Sequence, residues 1–239
     1  MNSVFLVLMA LAPGIAVTLY IYLKDEYEPE PIWLLLLSFL YGCIAFGITY
    51  VFDFAIYKII HLEAQNLFHQ GIRALILVGL VEECSKFIFV RGLLYPNKNF
   101  DEPFDGIVYA VMVGMGFATI ENIIYVINGG GGTAIVRMFS AIPAHAVFAI
   151  LMGFFLGKAK FDKKNERLNV WLGLIVATVY HGVYDYFLFI SFVAGIWILA
   201  GVSLVIAILL SRISIRMHHD ASPFKNNPKE QHRYPKEPQ

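Results

Sequence analysis

Apolar stretches of membrane-spanning length recur along this chain, and they limit its fold more than any other feature. A helix needs about 20 apolar residues to cross roughly 30 Å of hydrocarbon. Seven stretches read as such helices: residues 3–23, 32–57, 72–94, 104–128, 134–157, 168–190 and 192–213. The breaks between them are an acidic, proline-containing run at 24–31, a short amphipathic piece at 61–70, the segment 95–103, a glycine run at 129–132, a basic run at 158–167 and a tight turn near Ser191. The expected fold class is therefore an all-α, polytopic membrane protein of about seven transmembrane helices.

Composition agrees. The chain is 58% hydrophobic with a mean hydropathy of +0.65, too apolar for an ordinary soluble domain. Lys and Arg total 18 and so do Asp and Glu, so net charge says little and position says more. No extended basic surface or phosphate loop points to nucleic acid or nucleotides. Cys43 and Cys84 both fall inside apolar stretches and read as small packing residues, not as a disulfide or zinc pair. The first stretch has no basic leader and no Ala-x-Ala site, so it reads as a retained helix. Residues 1–213 form one transmembrane domain. Residues 214–239 turn polar and carry Pro223, Pro228, Pro235 and Pro238, the pattern of a disordered tail.

Cytoplasmic loops of membrane proteins carry an excess of Lys and Arg. With seven spans, fourteen of these residues fall on one side and three, Lys58, Arg73 and Arg137, on the other. The amino terminus is then expected outside and the tail in the cytoplasm. Lys86 is the one basic residue left within a span.

Six further ionisable residues lie inside these spans: Glu82, Glu83, Glu121, His145, His181 and Asp185. A charged group at bilayer depth costs several kcal/mol, so such residues usually line a functional interior. Counted from the outer helix ends, all six sit at depths of roughly 8–17 Å at about 1.5 Å per residue. Helices from four separate spans thus converge on a polar catalytic cavity in the outer half of the membrane. Lys86 lies four residues from Glu82 and three from Glu83, so it can form a structural ion pair with either and leave the other free. His181 and Asp185 share a helix face at i, i+4 spacing, which lets the carboxylate orient the imidazole. Small residues continue both histidine faces, as Gly173, Ala177, His181, Asp185 and as Ala141, His145, Ala149, Gly153, and allow close helix packing. The remaining histidines, His61, His69, His218, His219 and His232, read as solvated, and Asp53 as interfacial.

Peptide hydrolysis needs an activated water, a proton donor for the leaving amine and stabilisation of the oxyanion, and this set supplies such groups. His145 and His181 with Glu121 also suit a three-ligand zinc site with water in the fourth position. Both zinc and a metal-free Glu/His mechanism are open. A proton- or ion-coupled transporter is the alternative, since intramembrane Glu, His and Asp also form relays. No inverted repeat or broken midplane helix supports it. An inert scaffold would not need the intact polar set.

The motifs occur in an order that resembles a known family. They are Ala12-Pro13-Gly14-Ile15-Ala16, the run from Tyr22 to Pro31, Glu82-Glu83-x-x-Lys86, Phe104-Asp105-Gly106-Ile107-Val108-Tyr109, Gly116-Phe117-Ala118-Thr119-x-Glu121-Asn122, His145 with Gly153, and His181-Gly182-x-Tyr184-Asp185. Together they resemble the PrsW family of bacterial intramembrane proteases, related to the CAAX-type membrane proteases. In the CAAX-type group the second motif is Phe-x-x-x-His, whereas this chain has Phe117-x-x-x-Glu121. The resemblance implies a multi-pass protein of the bacterial inner membrane that makes the site-1 cut in a single-pass anti-sigma factor during envelope stress, at the extracytoplasmic side. It also implies Glu82 and Glu83 as the catalytic pair, with Glu82 the favoured base, and His181 as a catalytic group. Glu121, His145 and Asp185 would support them.

Overall fold

A computed structural model describes residues 2–225, and among these it contains helices and no strands. Helix α1 (Ser3–Lys24) starts where the Asn2 side chain accepts a hydrogen bond from the Val4 N–H at 3.1 Å, satisfying one of the free donors of the first turn. It stops before the Pro29 and Pro31 run, and Pro31 then supplies the carbonyl that starts α2 (Ile32–Tyr57). After a loop, Asn66 caps a short α3 (Leu67–Ile72) by accepting from Phe68 N and His69 N. A π-helical stretch, Arg73–Leu80, leads into α4 (Val81–Phe89), and a second one, Val90–Leu94, follows. The long helices α5 (Asp105–Phe139), α6 (Ala141–Phe161), α7 (Glu166–Phe189) and α8 (Trp197–Asp220) complete the chain.

Five helical stretches among the described residues are long and apolar enough to cross a membrane: α1, α2, the 57-residue stretch Asp105–Phe161 made by α5 and α6, α7 and α8. That stretch spans the fourth and fifth of the expected spans. The expected third span, 72–94, instead breaks into π-, α- and π-helical pieces around its charged residues. The glycine run at 129–132 turns the chain back on itself: Gly130 takes φ 75°, open to a residue without a Cβ, and the helical segments on its two sides lie close enough for Arg137 to pair with Glu121 at 2.6 Å.

The last helix also differs from expectation. It runs past residue 213 to Asp220, because its inward face stays useful: Ser214 and His218 are buried, and the His218 ring stacks on Phe154 with centroids 4.5 Å apart. His219 meets Phe104 edge-on at 4.4 Å. Neither is the solvated histidine the sequence suggests. Residues 226–239, including His232 and most of the expected tail, lie outside the described residues.

Helix α5 is the hub. It is buried continuously from Asp105 to Thr119 and packs against α1, α2 and α6, while α7 packs against α6, α8 and the first π-helical stretch. The opposite faces of α1, α2 and α8 expose large apolar side chains such as Phe5, Leu36, Phe52 and Trp197, the surface expected of helices that face lipid. Outside the apolar layer, burial pushes the carboxyl of Glu30 up to about 8 and that of Glu102 up to about 7.

Candidate active site

Helix α4 brings the glutamate pair inward. Glu82, Glu83, Ser85 and Lys86 are buried, and the two flanking π-helical stretches shift this helix out of the register that a straight α-helix would hold. Such π insertions are frequent at functional sites. Ser85 Oγ donates to the Glu82 carbonyl at 2.7 Å and accepts from Thr49 Oγ1 at 2.9 Å, which ties the turn to α2. Opposite it, α7 comes close because Gly182 has no side chain: a Cβ there would lie 2.9 Å from Leu75 Cα. Helix α6 reaches the same centre through Ala149, which packs directly on Gly114 of α5.

The polar side chains meet in one cluster. Lys86 Nζ donates to Glu83 Oε1 at 2.8 Å and lies 3.5 Å from Glu82 Oε2. Glu83 Oε1 also bonds His181 Nδ1 at 2.8 Å. The other ring nitrogen, His181 Nε2, lies 3.4 Å from Asp185 Oδ2 and 3.9 Å from Glu82 Oε2. Lys86 Nζ is also 3.3 Å from His145 Nδ1. An ammonium only donates, so Nδ1 accepts and the N–H at Nε2 is left to donate to Glu121 Oε2 at 3.0 Å. The two imidazoles meet edge to face at 5.3 Å, and Phe148 stacks on His181 at 4.9 Å. Phe117 covers the Lys86 ammonium at 4.0 Å.

All six intramembrane ionisable residues and Lys86 thus belong to one network. The sequence reading had Asp185 orient His181; in the structure the shorter bond, on Nδ1, comes from Glu83, and Asp185 sits on the Nε2 side. One ligand atom each from Glu82, His145 and His181 lies within 4.8 Å of the others, whereas Glu121 stands behind His145. Arg137 is the member that sequence reasoning missed. Its Nη2 pairs with Glu121 Oε2 at 2.6 Å and its Nε donates to Asn122 Oδ1 at 2.8 Å, while Asn122 Nδ2 donates to the Ala10 carbonyl of α1. A lone basic residue near the outer end of a span was its only signal, and that signal served the topology count.

Long apolar helices around a buried network of carboxylates and imidazoles define a polytopic membrane protein with a polar centre in its interior. The chain belongs to the PrsW family: the family model described as "PrsW family intramembrane metalloprotease" matches residues 30–211, which contain every residue of the cluster. It is 39% identical to Protease PrsW of Geobacillus kaustophilus over 183 residues, 77% of this chain and 79% of that protein. It is 39% identical to Protease PrsW of Bacillus subtilis over 180 residues, 74% and 80% of the two chains. Protease PrsW of Clostridioides difficile is 33% identical over 234 residues, 93% of this chain and 95% of that one. No solved structure matches the chain. It is a membrane protease.

Proposed function

We propose that this protease cuts a single-pass, membrane-anchored anti-sigma factor near the extracytoplasmic surface of the bacterial inner membrane, and that Glu82, His145 and His181 are its reaction centre. The observation that carries the reading is the convergence of one donor atom from each of these three buried residues within 4.8 Å. The same donors suit a zinc ion, two imidazoles and a carboxylate being a known catalytic set. Two further observations fit a cation. Four carboxyl groups, Glu82, Glu83, Glu121 and Asp185, share the cluster with two fixed cations, Lys86 and Arg137. The Lys86 ammonium already lies between Glu82 Oε2 and His145 Nδ1, and its shorter contact to Glu83 offers it another place. When bound, such an ion would lower the pKa of water and polarise the scissile carbonyl.

The other residues hold that centre in place. Glu83 fixes the orientation of His181 through Nδ1, and Glu121, itself anchored by Arg137, fixes His145. Asp185 lies on the open side of His181 and, with a partly exposed carboxylate, is placed to carry a proton to the leaving amine. An apolar groove of about 380 Å³ between α1 and the start of α6, lined by Pro13, Val17, Met138, Ile142 and Pro143, offers a substrate helix a lateral approach just before His145.

The direct experiment reconstitutes the purified protein in liposomes with candidate anti-sigma factors and compares it with Glu82→Gln, alongside elemental analysis. Cleavage by the wild type, loss of at least about 10²-fold in the variant and close to one equivalent of zinc per chain are expected. Equal cleavage by a folded Glu82→Gln protein rejects the assignment, and full activity in a metal-free preparation rejects the zinc.

The seven-span topology, amino terminus outside, is tested separately. Single cysteines placed at Gly130 and in the tail after residue 225, in a chain lacking Cys43 and Cys84, should react with an impermeant reagent in intact cells at Gly130 only. Labelling of the tail alone would invert the topology and move the centre to the inner leaflet.

A further inference from the structure

At the other end of α5, roughly 24 Å from Glu121 along the helix axis at about 1.5 Å per residue, a second set of acidic side chains is buried. Asp25 and Glu30 come from the α1–α2 connection, Glu102 from the segment before α5 and Asp105 from its first turn, and none is more than 2% exposed. One oxygen each from Asp25, Glu102 and Asp105 lies within 4.8 Å of the others, and Glu30 faces both Asp25 and Asp105. Carboxylates this close and this dry repel each other strongly unless something neutralises them.

Two oxygens of the set accept no hydrogen bond from the described residues. Asp105 Oδ2 accepts from the backbone N–H groups of Asp101 and Glu102, both at 2.8 Å, but its Oδ1 is buried and makes no hydrogen bond among the described residues. The same holds for Glu30 Oε2. Among the described residues no Lys, Arg or His forms an ion pair with Glu30, Glu102 or Asp105. Lys160 of α6, which feels the charge of Asp105, donates to the Tyr95 carbonyl at 2.5 Å. Glu30 faces the Tyr109 hydroxyl as well as Asp105, yet Asp105 Oδ1 remains a buried acceptor without a bond, and an all-oxygen donor set of this kind selects hard cations over zinc or copper.

We infer that Asp25, Glu102 and Asp105, with Glu30 beside them, bind one hard divalent cation of the magnesium or calcium class. Its place in the fold gives it a structural role. The ligands join the α1–α2 connection to the start of α5, and the Ser222 hydroxyl bonds Glu102, so the end of α8 is fastened to the same point. The site is separate from the carboxylate–histidine centre and takes a different metal.

The experiment uses the full-length protein in detergent after chelator treatment, carrying His145→Ala and His181→Ala so that the catalytic centre cannot contribute. Thermal unfolding is followed against magnesium, calcium and manganese chloride. A saturable rise of about 5–10 °C at a hundredfold excess over Kd is expected. Manganese should titrate as one bound ion per chain by paramagnetic resonance. Adding Asp105→Asn with Glu102→Gln should abolish both. No saturable rise, or a rise that survives those two changes, overturns the inference. If the quadruple variant does not fold, the manganese stoichiometry decides alone: no bound manganese in the double variant means that protons, not a metal ion, neutralise the cluster, and the site falls.

Discussion

His181→Ala should leave a folded protein that cleaves substrate at least about 10²–10⁴-fold more slowly, the largest loss of any single imidazole substitution. Both ring nitrogens are committed: Nδ1 to Glu83 at 2.8 Å, Nε2 to the side on which Asp185 and Glu82 stand at 3.4 and 3.9 Å. Alanine removes a donor atom from the three-residue centre together with the ring that Phe148 packs on. It leaves the Lys86–Glu83 pair intact, and Asp185, which loses its contact, is partly exposed, so the fold should survive. Glu83→Gln is the informative comparison. It keeps an acceptor for His181 but removes the charge that Lys86 pairs with, and an orienting partner of this kind typically changes metal affinity or activity by about 10–100-fold. Cleavage and bound metal should therefore fall in the order wild type, Glu83→Gln, His181→Ala. Normal cleavage by His181→Ala would remove this residue from the reaction whatever the metal content.

Much of this was legible in the sequence because the bilayer leaves few choices. Runs such as Ser3–Lys24 and Ile32–Tyr57 can only be helices at that length and apolarity, and ionisable residues inside such runs stand out because they are costly. That cost is why Glu82, Glu83, Glu121, His145, His181 and Asp185 were found, and they do meet in one network. What the pattern hides is local backbone geometry. A run of four glycines reads as a loop, and the turn it makes is tighter than that: only Gly130 leaves the helical conformation, and the chain doubles back there. The π-helical turns around α4 have no composition signal at all; they show only in the register that turns both glutamates and Lys86 inward.

Charges outside the apolar core were read less well. Arg137 counted as an outer-loop charge, although the carboxylate it holds, Glu121, was already a candidate. Asp25, Glu30 and Glu102 fall in the breaks between the expected spans and Asp105 at the head of the fourth, where sequence gives no burial; only the folded chain shows three separate segments enclosing them. His218 went astray for the same reason, since apolar character beyond residue 213 is weak and its partner Phe154 is distant in sequence.

Gly116→Ala should cost more stability than any other single-methyl addition in the bundle except its neighbour across the same contact, Gly42→Ala. A Cβ on Gly116 would sit 1.9 Å from the Phe39 carbonyl oxygen, and one on Gly42 would sit 2.0 Å from that of Val113. Both obstacles are backbone atoms inside helices, so no rotamer change relieves them and α2 must move away from α5. Overpacking of this kind typically costs about 1–3 kcal/mol, and a clash with backbone lies at or beyond the upper end. The displacement also reaches the active site, because the residue after Gly116 is Phe117, whose ring covers Lys86 and touches His145. Gly47→Ala is the control on the same α2 helix: its Cβ meets nothing within 4 Å, so it should be neutral or slightly stabilising through helix propensity. Thermal unfolding in detergent measures all three. A Tm for Gly116→Ala equal to that of Gly47→Ala would mean that α2 and α5 do not cross in backbone contact, and the placement of α4 beside them, with its glutamate pair, would lose its support.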